Sequence, residues 1–278
     1  MTEINLLDLY EHTAEEQEAA TYGAREPRKG FFTDTTLCIG CKACEVACKE
    51  WNQIPADGYT WTGESYDNTG ALGGETWRHV AFVEQKHESG LRWLMESDVC
   101  KHCTHAACLD VCPTGALIRT EFGTVVLQDD VCNGCAYCVP ACPFGVITKR
   151  QDNQRAAKCT LCYDRLTAGE TPACAKACPT QSIQYGDVDE LRQRAEERLS
   201  SVQRQPQFAG ANLYLHDKND GIGGAGAFFL LLDKPEVYGL PPHPVDTTRD
   251  LGKMWRVMGI AAGTLVGALA LSTVGSKR

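Results

Sequence analysis

All sixteen cysteines of this 278-residue chain fall into four tight runs. Run I is Cys38, Cys41, Cys44 and Cys48; run II is Cys100, Cys103, Cys108 and Cys112; run III is Cys132, Cys135, Cys138 and Cys142; run IV is Cys159, Cys162, Cys174 and Cys178. Any fold for this chain has to gather thiols in groups. Thiols two residues apart are poorly placed to bridge each other and well placed to converge on metal. A disulfide scaffold instead spreads its half-cystines to staple distant loops.

The spacing narrows the metal. Runs I and III read C-x2-C-x2-C-x3-C, run II stretches its second gap to four residues and run IV to eleven. Pro113, Pro143 and Pro179 follow the last cysteine of runs II, III and IV, whereas run I has Lys49 there. Structural zinc is the alternative, but it asks for two C-x2-C pairs and a spacer. Three thiolates from one loop and a fourth just inside the following helix suit a [4Fe–4S] cubane, with the fourth thiolate reaching the neighbouring cluster. Four runs therefore predict four [4Fe–4S] clusters.

The span from Cys112 to Cys132 is short and reads as strand, turn at Gly123, strand, so runs II and III form one two-cluster unit. Runs I and IV form the other, with II–III inserted between them. Crossing the fourth ligand gives cluster A at Cys38, Cys41, Cys44 and Cys178, and cluster B at Cys48, Cys159, Cys162 and Cys174. Cluster C falls to Cys100, Cys103, Cys108 and Cys142, and cluster D to Cys112, Cys132, Cys135 and Cys138. Such a series passes single electrons over a distance, and no catalytic constellation appears elsewhere in the sequence.

Other segments frame these runs. A net charge of −9 argues against a nucleic-acid partner. The first twenty residues are acidic and lack the apolar core of a signal peptide. "TWRHVAFVEQ" and "LRWLMES" alternate around "HESG" and predict a β-hairpin. Trp51, Tyr59, Trp61 and Trp77 are expected to pack over a cluster. Residues 187–204 predict an amphipathic helix, capped by Asp187 or Asp189, with Val188, Leu191, Ala195, Leu199 and Val202 on one face. "GIGGAG", Gly221 to Gly226, matches a dinucleotide fingerprint, but its apolar run follows the glycines and the segment reads as a turn before a strand. "GLPPHPVD" is an extended linker. Val257 to Val274 carries no charge and is long enough to approach a bilayer span. Gly259, Gly263 and Gly267 recur every fourth residue along it, as on a face that another membrane helix approaches closely. Lys253 and Arg256 before it and Lys277 and Arg278 after it nearly balance, so orientation stays open.

"CIGCKACEVACKEWN", "CPFG", "KCTLCYDRLTAGETPACAKACPT", "GIGGAG" and "PEVYGLP" together resemble the β, iron–sulfur subunits of membrane-bound respiratory formate dehydrogenases. The cysteine runs alone are shared with the corresponding subunits of other molybdopterin oxidoreductases, of sulfoxide, polysulfide or tetrathionate reductase type, which is the alternative reading. The resemblance implies a molybdenum- or tungsten-pterin catalytic α subunit that oxidises formate, and a membrane cytochrome b γ subunit that reduces quinone. It implies anaerobic respiration at the cell membrane, with a single-pass chain in the lipid bilayer. Its globular part then lies on the extracytoplasmic face, exported by the α subunit's twin-arginine signal. The expected fold is α+β: two nested ferredoxin-like dicluster modules, a C-terminal extension and one transmembrane helix. The expected boundaries are a tail over 1–30, one module over 31–96 and 147–186, and the inserted module over 97–146. The extension then covers 187–250 and the anchor 251–278.

Overall fold

The computed structural model describes residues 27–275, apart from positions 57, 59, 60, 62, 64, 68, 88 and 89. Most of the expected N-terminal tail, Tyr59, the middle of the "HESG" turn, Lys277 and Arg278 lie outside the described residues.

In chain order, β1 (Lys29–Asp34) leads into run I, whose second half lies on α1 (Ala43–Asn52). Next come β2 (Arg78–His87), β3 (Gly90–Val99), α2 (Ala107–Asp110), β4 (Leu117–Arg119), β5 (Val125–Leu127) and α3 (Cys138–Ala141). They are followed by β6 (Thr148–Lys149), β7 (Ala156–Ala157), α4 (Tyr163–Thr167) and α5 (Ala173–Lys176). The chain closes with β8 (Ile183–Asp187), α6 (Val188–Gln203), β9 (Asn212–Tyr214), β10 (Ala227–Leu231) and α7 (Leu251–Gly275).

The main sheet has the order β8-β1-β10-β9. β1 and β10 run parallel at its centre, Phe32 opposite Phe228, and the two rings stack at 5.5 Å. Every residue of β10 is buried, which is why "AFFLL" shows no polar alternation. Sequence pattern gives β10 no partner; the structure inserts it beside a strand from the opposite end of the chain. The extension thus completes the sheet that holds the start of run I and the end of run IV, since β8 pairs antiparallel with β1 on its other edge.

The hairpin forms as the alternation predicts, β2 against β3 with His87 opposite Gly90. β4 and β5 pair around Gly123, whose φ of +70° suits glycine. On α6, Val188, Leu191, Ala195 and Val202 are buried, while Leu199 is only half-buried. Asp187 occupies the N-cap position without capping, because its carboxylate pairs with Lys29. Asp189 bonds Arg192 at 3.1 Å.

The "GIGGAG" segment does precede a strand, and its glycines serve packing. Thr104 N–H donates to the Gly224 carbonyl at 3.0 Å and His105 N–H to that of Ile222 at 2.8 Å. A Cβ at Gly223 would sit 2.3 Å from the His105 ring, and φ there is +73°. The second gap of run II therefore lies directly on these glycines.

One helix among the described residues is long and apolar enough to cross a membrane by length and composition, over Leu251–Ser272. Its side chains are exposed in the single chain, Trp255 at 68% and Leu271 at 75%. Its base is tied down: Thr247 Oγ1 donates to the Ala141 carbonyl at 2.9 Å and Thr248 Oγ1 to Asp110 Oδ2 at 2.7 Å. Those acceptors lie between the last two cysteines of runs III and II.

Candidate metal centres

Each run bends the same way at its start. The residue before the second cysteine is left-handed in all four: Gly40 at φ +64°, His102 at +44°, Gly134 at +73° and Leu161 at +59°. Glycine adopts this region freely; for His102 and Leu161 it costs about 1–3 kcal/mol each. Both are buried, so surrounding packing holds the bend. Runs II, III and IV end alike, too. Gly115, Gly145 and Gln181 each donate a backbone N–H to the carbonyl of their last cysteine, at 3.4, 3.3 and 3.3 Å. The intervening proline stops the preceding helix and leaves this turn as the exit. Run I lacks the proline, so α1 continues to Asn52, whose Nδ2 donates to the Cys48 carbonyl at 2.8 Å.

The fold brings cysteines of different runs together. One cavity is lined by Cys48 of run I with Cys159, Cys162 and Cys174 of run IV. A second is lined by Cys38, Cys41 and Cys44 of run I with Cys178 of run IV. A third is lined by Cys100, Cys103 and Cys108 of run II with Cys142 of run III. Around Cys138, burial raises the thiol to about 11, with Cys132, Cys112 and Cys135 close enough to add to the effect. Thiols of neighbouring groups lie within electrostatic range of one another. Burial raises Cys44 to about 11, assisted by nearby Cys174. Burial also raises Cys159, with Cys100 the main neighbour. Cys108 is pushed up to about 12 by burial, against Lys158, with Cys100, Cys142 and Cys138 adding. All sixteen thiols are free.

Among the described residues, no three Cys, His, Asp or Glu side chains converge tightly enough to grip a single ion. The thiols instead surround cavities, and donors face their sulfurs. Leu161 N–H reaches Cys159 Sγ at 3.3 Å, Arg78 Nη2 reaches Cys174 Sγ at 3.3 Å, and Asn52 Nδ2 reaches Cys48 Sγ at 3.6 Å. His102 lines the Cys100 cavity, and Val125 N–H donates to its Nδ1 at 3.1 Å. Burial and the nearby Lys158 lower its pKa well below the usual value, so the ring is neutral and Nε2 carries the proton. That Nε2 is buried without a partner in the protein. Thiols around a cavity, with spare N–H donors in its wall, fit an iron–sulfur cluster whose sulfurs accept hydrogen bonds.

Sequence reasoning misses Arg78, Ser97, Asn52 and His102 in these walls. Lys101 and Lys158, beside the first cysteines of runs II and IV, were visible cues; Arg78 sits on an ordinary hairpin strand and has none. The tryptophans divide. Trp77 lines the run IV cavity, Trp51 is half-exposed with its ring 4.1 Å from the Arg165 guanidinium, and Trp61 is 84% exposed.

Two family models, each describing a 4Fe-4S dicluster domain, match residues 37–116 and 91–188. The formate dehydrogenase iron–sulfur subunit of Haemophilus influenzae is 39% identical over 246 residues, covering 87% of this chain and 77% of that protein. The nitrate-inducible formate dehydrogenase iron–sulfur subunit of Escherichia coli is 39% identical over 225 residues, 79% of this chain and 75% of that one. The B subunit of the anaerobic dimethyl sulfoxide reductase of E. coli is 36% identical over 165 residues, 59% of this chain and 76% of its own length.

Proposed function

The protein belongs to the formate dehydrogenase iron–sulfur subunits and transfers electrons within an oxidoreductase complex, and on that premise we propose that it wires a formate-oxidising catalytic subunit to a quinone-reducing membrane subunit. The catalytic partner carries a molybdenum- or tungsten-pterin centre; the membrane partner is a cytochrome b. Four [4Fe–4S] clusters, A to D as assigned from the spacing, supply one-electron chemistry when bound. The protein's part is to ligate them, keep water away and hold them in series.

The observation that carries this reading is the sharing of cavity walls between runs. Cys48 stands with three cysteines of run IV, Cys178 with three of run I and Cys142 with three of run II. The electrostatic influence of Cys174 on Cys44, of Cys100 on Cys159 and of Cys138 on Cys108 favours the order A, B, C, D. Pairing of β1 with β8 supports nesting, with a module over 31–96 and 147–186 enclosing one over 97–146. α7 is the single-pass anchor, and Thr247 and Thr248 favour the II–III module as the membrane-proximal end. The globular part lies on the extracytoplasmic face.

A sulfoxide-reductase role is the second reading, favoured by the dimethyl sulfoxide reductase match, but that match spans less of this sequence. Anaerobically purified protein should hold about sixteen iron atoms with matching acid-labile sulfide. Zinc without sulfide contradicts the cluster assignment. A co-purified catalytic subunit that reduces a sulfoxide and leaves formate untouched contradicts the substrate.

A further inference from the structure

Arg78 is 1% exposed on β2 and lies between two of the cavities. Its Nη2 reaches Cys174 Sγ in the run IV cavity at 3.3 Å. Its Nη1 donates to the Ser97 carbonyl at 3.1 Å and lies 3.4 Å from Ser97 Oγ. That hydroxyl sits 3.4 Å from Cys44 Sγ in the run I cavity. The guanidinium also lies 4.9 Å over the buried Phe31 ring, which fixes its plane.

Among the other deeply buried cations, Lys101 pairs with Asp98 and Arg165 with Glu170, whereas Lys158, like Arg78, donates only to uncharged oxygens, the Val125 and Cys159 carbonyls. Among the described residues no carboxylate lies within ion-pair distance of Arg78. A buried charge without a counter-charge costs several kcal/mol, and arginine does not escape by losing its proton. The buried Glu96 carboxyl also senses this charge, but burial pushes its pKa well above the usual carboxylate range and favours its neutral form, so the compensating negative charge falls to the ligated thiolates on either side.

We propose that Arg78 is a positioning residue that serves as the shared counter-charge of clusters A and B and makes both easier to reduce, B more than A. The inference rests on the cluster assignment above. Each reduction adds one electron and no proton beside a fixed positive charge, so Coulomb attraction favours the reduced form. Cluster B feels it directly through Cys174; cluster A feels it through Ser97.

The test is a redox titration of the purified complex by electron paramagnetic resonance, with iron content measured alongside. In Arg78→Gln the cluster B signal should titrate at least tenfold less favourably, about 59 mV lower for a one-electron couple. Cluster A should move less in the same direction, and C and D should stay in place. Arg78→Lys keeps the charge but not the fork, so it should give a smaller fall confined to the same two signals. If the Gln variant fails to assemble cluster B, the Lys variant decides. Full iron content with unshifted A and B potentials overturns the inference and leaves the cluster assignment standing; so does an equal shift of all four. Wild-type protein with well under sixteen iron atoms overturns both.

Discussion

Runs I and III have the same ferredoxin spacing, and each exposes its second cysteine, Cys41 and Cys135. Runs II and IV stretch their second gap, and neither exposes a cysteine. The extra residues pack into the protein. In run IV they form α4, which places Leu166 at 4% exposure. In run II they lie on the "GIGGAG" turn through Thr104 and His105. A short gap leaves a thiol loop facing outward, where a partner can come close; a stretched gap leaves no thiol exposed. In the proposed order A, B, C, D the short-gap runs would supply the two ends of the relay and the stretched runs its middle.

The largest test of this difference is at the exit. If the relay ends beside run III and the base of α7, truncation before Lys253 should leave formate oxidation with an artificial dye intact and abolish quinone reduction. Quinone reduction that survives truncation would remove α7 as anchor and dock. A smaller test compares the two kinds of loop directly. Leu166→Ala removes a buried side chain from the stretched gap of run IV and should cost about 2–5 kcal/mol, with faster loss of cluster B to an iron chelator. Ile39→Ala, on the exposed run I loop at 58% exposure, should stay within about 0.5 kcal/mol. Equal effects in denaturant unfolding would erase the contrast. Smaller than the Leu166 effect, Gly223→Ala forces a Cβ against His105 at positive φ and should cost about 1–3 kcal/mol. Chelation should then be faster at cluster C alone; a shift at cluster A instead would argue against the turn as the packing partner of run II.

Much of the site was legible because ligation chemistry is local. Spacing alone groups the cysteines, and proline after the last one marks the turn that ends at Gly115, Gly145 or Gln181. The hairpin and α6 were legible from their periods of two and 3.6. What escaped is long-range. β10 keeps its sequence neighbour β9 on one side but also inserts beside β1, which no local pattern encodes. Asp187 has the right type and place for a cap, yet Lys29 from β1 takes its carboxylate. Arg78 occupies an alternating strand where a cation ordinarily faces water, and only the closure of runs I and IV around it makes it interior. Sequence shows the ligands of each loop; the fold supplies the groups that stand between loops.

The central claim is that ligands cross between runs, and Cys178→Ser tests it most directly. Electron paramagnetic resonance of the reduced, anaerobically purified complex resolves which cluster suffers. The crossed arrangement predicts that the cluster held by Cys38, Cys41 and Cys44 is lost or altered, while the one held by Cys48, Cys159, Cys162 and Cys174 keeps its signal. Selective loss of the run IV signal, with the run I signal intact, would contradict it.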